Sequence, residues 1–165
     1  MPQAKTLPLI LVEEGGLGAA GLDSHQRKWA AANGFTGKLG KLLPLPDAAG
    51  NLSGYVFGLG AKTGGPVLAT GIAAAMLDPG KYRLEGALGD PTYAALGFRL
   101  GSYRFDRYKS GRAAPDLVLP KGADAAEVGR LQTEAFLARA LINTPPNDLG
   151  PEAVEREIRA FARSE

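Results

Sequence analysis

The sequence predicts an α/β sandwich built around a mixed sheet. Three observations carry that expectation. Short apolar runs alternate with helical patterns, one pair of runs flanks a turn-rich loop as an antiparallel hairpin would, and the 23 glycines and 12 prolines punctuate these runs at intervals instead of forming a low-complexity tract. At 165 residues, with 45% hydrophobic and 22% charged side chains, the chain fits one core and is too apolar for intrinsic disorder.

Along the chain, residues 7–12 (LPLILV) form a short apolar run that reads as a buried strand, with Pro8 near its start, where a missing ladder donor is tolerable. Ser24 stands where it could cap a helix over residues 25–33, closed by Gly34, with Trp29 and Ala32 facing inward. Residues 38–45 and 52–59 flank the turn-rich segment 46–51 as an antiparallel pair. Residues 67–77 are a small-residue helix whose alanine face can approach a sheet closely, ended by Asp78, Pro79 and Gly80, and residues 82–88 suit a strand. Pro91 opens a long helical pattern with Tyr93, Leu96, Leu100 and Tyr103 on one stripe and Phe98, Phe105 and Tyr108 on another. Residues 116–120 are a further strand. Asp124 and Glu127 then stand at capping-box spacing before a helix with Val128, Leu131, Ala135, Ala138 and Ile142 on one face.

Charge and composition exclude several functions. A net charge of +2, from 19 basic and 17 acidic side chains, gives no field that would point to a nucleic-acid or membrane partner. Cysteine is absent, which excludes disulfides and thiolate chemistry and agrees with a cytoplasmic location. No run approaches the ~20 apolar residues of a membrane span, and the N-terminus lacks the pattern of a secretory signal, so a soluble, unexported protein is expected.

Four motifs have a functional reading beside a structural one. Residues 16–21 (GLGAAG) satisfy the dinucleotide fingerprint G-x-G-x-x-G, but Asp23 and Ser24 place the helix start after the glycines, and Glu13 and Glu14 would repel a pyrophosphate. A strand-to-helix loop is the better reading. Residues 58–65 (GLGAKTGG) offer Lys62 and Thr63, yet Ala61 stands where a phosphate-binding P-loop requires glycine, which leaves at most a backbone anion site. Residues 103–112 (YRFDRYKSGR) interleave cations with aromatic rings, as a single-strand binder would. The rings fit the inward helical stripes, however, and the charges a solvated helix C-terminus. His25, the one histidine, sits in a helix's first turn with no triad partner nearby in sequence, and the carboxylates form no metal-ligand spacing. No catalytic, metal-binding or cofactor-binding residue is assigned.

The sharpest local feature is the run LINTPPND at residues 141–148. Pro145 disfavours helical angles at Thr144, and two prolines remove two backbone donors, so the helix must end near Asn143. Pro151 then starts a new helix with Val154, Ile158 and Phe161 as an apolar stripe. No stop signal comes after that stripe, so a further domain is expected beyond it.

At residues 141–151, LINTPPNDLGP resembles the hinge segment of the leucyl aminopeptidase family of metallopeptidases (M17), where R-x-L-I-N-T-P-x-N-x-x-x-P joins the N-terminal to the catalytic domain; Arg139 and Pro151 fit that frame. Residues 103–109 (YRFDRYK) are similar to the family's Y-x-F-x-x-Y-K run. The resemblance implies a macro-domain-like three-layer sandwich, a mixed sheet flanked by helices, over residues 1–142. It implies a hinge at 143–150 and the start of a linker helix at 151–165, leading to an absent catalytic domain. Asn143, Thr144, Pro145, Asn147 and Asp148 carry over as hinge residues with a structural role. The implied parent is a cytoplasmic homohexamer that removes N-terminal residues, commonly leucine, using two divalent metals, Mn2+ or Zn2+. The family's metal ligands lie in the C-terminal domain, so this chain alone is expected to be an inactive accessory for assembly or substrate access. The alternative is a macro-like binding module, taking ADP-ribose or another nucleotide at residues 58–65 or nucleic acid along residues 104–112.

Overall fold

The computed structural model describes residues 5–63 and 65–163. Its centre is a five-stranded sheet in the order β2-β3-β1-β4-β5, from β1 (Thr6–Glu13), β2 (Leu42–Pro46), β3 (Leu52–Gly60), β4 (Lys81–Gly86) and β5 (Asp116–Val118). Only β2 runs antiparallel to its neighbour, so the sheet is mixed and the hairpin expectation holds. The apolar run of residues 7–12 becomes the central strand because both of its faces are covered, which is where a continuous hydrophobic strand belongs. Pro8 fits there because β3 presents Gly54 beside it: a Cβ on Gly54 would lie 2.6 Å from Pro8 Cγ.

The two faces of β1 feed two cores. Ile10 and Val12 pack with Leu22, Ala30, Phe35 and Val56 beneath α1 (Ser24–Ala32). Leu9 and Leu11 pack with Phe57, Tyr82, Phe98 and Val128 beneath α2 (Thr70–Met76), α3 (Pro91–Gly101) and α4 (Ala125–Asn143). The result is a three-layer α/β arrangement, with α5 (Pro151–Phe161) coming after α4 and the proline corner. Tyr82 is 1% exposed and donates its hydroxyl to the Asp78 carbonyl at 2.9 Å; burial pushes its phenol up to about 12.

Several local expectations need correction. The cap of α1 is Asp23, which accepts from Gln26 N at 2.7 Å in a reciprocal capping box, and Ser24 is the first helical residue. Ala30 is the buried residue of α1, whereas Ala32 is exposed and Trp29 is 40% exposed, its indole N–H donating to the Pro44 carbonyl. Strand β2 begins only at Leu42, because Gly37 and Gly40 take positive φ in the approach to it.

Helix α3 ends at Gly101, not beyond Tyr108. Up to that end α2 and α3 touch backbone to backbone, so that a Cβ on Gly101 would lie 2.0 Å from Gly71 O, and one on Gly97 would lie 2.5 Å from Thr70 Oγ1. Ser102 then closes the helix, its hydroxyl donating to Arg99 O at 2.7 Å. Tyr93, counted on an inward stripe, is 49% exposed.

Helix α4 lies alongside α3 in the same direction, as the contacts of Asp124 with Thr92 and of Arg139 with Leu100 show. It has 19 residues against the 11 of α3, so at 1.5 Å per residue its last turns overhang. Ala138 is therefore exposed and Ile142 is 82% exposed, although both fall on the expected face.

The seam predicts opposite outcomes for two glycines. Gly101→Ala must push α2 from α3 and should cost about 1–3 kcal/mol in urea unfolding, as overpacking does. Gly129, in α4 with nothing near its added Cβ, should gain about 0.5–1 kcal/mol as Gly129→Ala, through helix propensity alone.

Candidate functional site

Polar and aromatic side chains converge on the corner at residues 143–150. Pro145 forces Thr144 into an extended conformation (φ −79°, ψ 123°), which ends α4 there. Thr144 is 7% exposed and its hydroxyl donates to the Ala140 carbonyl at 2.7 Å, satisfying an otherwise orphaned helix-end acceptor. The Pro145 carbonyl accepts from Asp148 N at 2.9 Å and Leu149 N at 3.1 Å, forming a turn. Gly150 then precedes Pro151, the first residue of α5.

The connection from α3 to β5 reaches into this corner. Tyr103 packs edge-on against Phe136 of α4 at 5.0 Å between ring centres, and the Arg139 guanidinium lies 5.6 Å from the Tyr103 ring centre. The Tyr103 hydroxyl accepts from Asn143 Nδ2 at 3.4 Å. Arg107 Nη1 donates to Thr144 Oγ1 at 3.4 Å, and the Tyr108 hydroxyl donates to Asp148 Oδ2 at 2.5 Å. The bond to Asp148 raises the Tyr108 phenol above its ordinary 10.0; desolvation and the carboxylate charge act in the same direction and Arg107 opposes them.

Three of the five expected hinge residues, Asn143, Thr144 and Asp148, are thus gathered by one loop, while Pro145 and Asn147 shape the turn without side-chain partners from it. Reading residues 103–108 as helix hid this: aromatic residues at helical spacing in a loop carry the same pattern. Two motifs of the same family frame, one ending a helix and one rich in ring hydroxyls, were the signal that could have paired them.

Most cations of this stretch already have partners within the protein. Arg99, in the last turn of α3, binds Asp116 Oδ1 at 2.9 Å and the Leu117 carbonyl at 2.8 Å, Arg104 binds the carbonyls of Gly101 and Tyr103, and Arg112 pairs with Asp78. Such partners leave little for a phosphate backbone to neutralise.

The glycine motifs are placed without an anion cradle. Residues Gly16–Ala19 form a 3-10 turn, and α1 opens only after Gly21. A cleft of about 260 Å³ lies outside the carboxyl ends of β1, β3 and β4, lined by Leu11, Glu13, Lys62, Gly65, Asp90 and Tyr93 among others. Asp90 already accepts from Thr92 N and Tyr93 N, filling the first donors of α3, and α2 begins at Thr70, beyond the loop. Two carboxylates against one ammonium make the cleft unfavourable for a phosphate. His25 is exposed. Among the described residues no three His, Asp or Glu side chains come together as ligands for a metal ion, so the described side chains do not fit a two-metal centre.

Comparison with known proteins bears on both ends of the sequence. The family model described as M17 aminopeptidase, N-terminal domain, matches residues 7–120. A probable cytosol aminopeptidase of Methylorubrum populi is 35% identical over 154 residues, covering 78% of this chain and 31% of that protein. Its counterpart in Methylobacterium radiotolerans is 35% identical, covering 89% of this chain and 34% of its own length. The crystal structure of cytosol aminopeptidase from Coxiella burnetii superposes with a TM-score of 0.79 at 25% identity, over 99% of this chain and 37% of that one. The bottromycin maturation enzyme BotP in complex with Mn gives a TM-score of 0.74 at 25% identity, over 98% and 36%. The chain thus spans about a third of the length of the relatives it matches.

The Tyr108–Asp148 bond has a pH signature. Since the folded-state pKa lies above 10.0, the bond's stabilisation is present below that value and is lost as pH rises beyond it. In an ultraviolet difference titration against Tyr108→Phe, the missing phenol should ionise above pH 10.0, and Asp148→Ala should return it towards 10.0.

Proposed function

The chain belongs to the M17 aminopeptidase family as its N-terminal domain, and from that premise we propose that it is the non-catalytic part of a longer, metal-dependent aminopeptidase. The observation that carries this reading is a family match to an N-terminal domain, over residues 7–120, in a chain about a third the length of its relatives. Residues 1–142 are the macro-like body, residues 143–150 the hinge, and residues 151–165 the start of a linker helix to the catalytic domain; residues 1–4, 64, 164 and 165 of that division lie outside the described residues. The division is supported by the end of α4 at Asn143, the start of α5 at Pro151 and the exposure of Ile158, 56%, on a helix patterned to bury one side.

The catalytic partner supplies the peptidase centre, with two divalent metals, Mn2+ or Zn2+; the Mn complex of the BotP neighbour supports manganese. The parent removes N-terminal residues such as leucine, assembles as a homohexamer and works in the cytoplasm, as the name cytosol aminopeptidase for its relatives supports. Among the described residues no helix is long and apolar enough to cross a membrane. This domain contributes to assembly or substrate access, and no residue of it takes part in the chemistry.

Release of p-nitroaniline from leucine p-nitroanilide with added Mn2+ or Zn2+ tests the reading. This chain should give no turnover above buffer, and a version extended through a C-terminal domain should turn over. Activity of the 165-residue chain alone would overturn the proposal.

A further inference from the structure

We propose that residues 103–112 are a latch that fixes the direction in which the chain leaves the domain, with Arg107 and Tyr108 as its positioning residues. The inference rests on the hinge reading of residues 143–150 and adds what sets that hinge.

The connection between Gly101 and Asp116 contains no regular element and is far longer than the ~4–6 residues typical of compact domains, a length more common in functional loops. It is nevertheless tied at both ends. Ser102 is 7% exposed, Arg104 donates to the carbonyls of Gly101 and Tyr103, and Arg112 pairs with Asp78 at the end of α2. Between these anchors the ring of Phe105 packs edge-on against Tyr108 at 5.8 Å, and Arg107 lies 5.8 Å from the Tyr108 ring centre. The loop therefore presents a preformed surface.

That surface touches the corner at three successive places. Tyr103 holds Asn143 at the helix end, Arg107 holds Thr144 just before the prolines, and Tyr108 holds Asp148 just after them. The prolines fix φ at two positions of the corner and restrict the residues just before them, but ψ of Pro146 and both torsions of Asn147 stay open. The local turn at Pro145 spans only as far as Leu149. The Tyr108–Asp148 bond ties the post-proline side of the corner to the body, and Arg107 restrains the residue on the other side. Cutting both widens the range of directions that α5 takes from the body.

The absence of cysteine makes a clean test available. Spin labels on Lys28→Cys in α1 and Ala160→Cys in α5, both exposed positions, report the distance between body and linker helix. The parent background should give one narrow distance population. Arg107→Ala with Tyr108→Phe should broaden it at least twofold with at most a small fall in melting temperature, because both side chains are exposed and lie outside the two cores. Asp148→Asn, which keeps an oxygen acceptor for Tyr108, should stay narrow. A distribution that is equally wide with the latch intact, or unchanged when it is cut, overturns the proposal. The peptidase assay separates the two readings: an active extended chain with an unaltered distance distribution sinks the latch alone, whereas an inactive extended chain tells against the accessory-domain reading and leaves the distance result standing.

Discussion

The architecture depends on the glycine contact between α2 and α3. With Gly71, Gly97 and Gly101 in the seam, two helices meet main chain to main chain, closer than any side chain would permit. That approach is reinforced by Thr70, whose hydroxyl donates to the Ala94 carbonyl at 2.7 Å inside the seam, so the one buried hydroxyl on α2 is satisfied. Just past the last seam glycine, Gly101, α3 ends and Tyr103 emerges against Phe136 and Arg139 of α4. The loop that meets the proline corner thus starts at the edge of this contact.

The sheet supplies a rigid frame and little chemistry. Its central strand is covered on both faces, and the carboxyl ends of the parallel strands, where α/β folds commonly bind ligands, carry Glu13 and Asp90 opposite Lys62. Asp90 is committed to capping α3. A group of long-range side-chain hydrogen bonds lies instead at the corner after α4, away from that cleft. Such contacts at an exit from the body are suited to positioning a neighbouring domain, which is the sense in which the fold and the proposed role agree.

Much of this was legible in the sequence where local rules decide. The apolar run at residues 7–12, the hairpin around residues 47–51, the stop at Gly34 with φ +63°, and the break at Pro145 each derive from one residue's backbone chemistry or from burial pattern. The misses share a cause. Tyr103, Phe105 and Tyr108 repeat at a spacing that suits a helix, and nothing local reveals that Gly101 abuts Gly71. Trp29 is large and apolar, yet the inward place on α1 belongs to Ala30, and the indole lies outside, where its N–H reaches the Pro44 carbonyl. Ile142 has the right phase but lies past the end of its partner helix. The contacts between the loop and the corner are long-range side-chain hydrogen bonds, which no periodicity encodes.

The loop that leaves α3 at Gly101 gives packing at the α2–α3 seam a route of transmission to the corner. Amide hydrogen exchange at Thr144, Asp148 and Leu149, measured in the parent chain and in Gly101→Ala, is the sharpest test of that transmission, since all three amides are bonded within the corner and none touches the seam. Faster exchange at these amides in the variant, with α1 unaffected, is expected. Unchanged protection at the corner while α3 itself exchanges faster would show that the seam and the corner are independent.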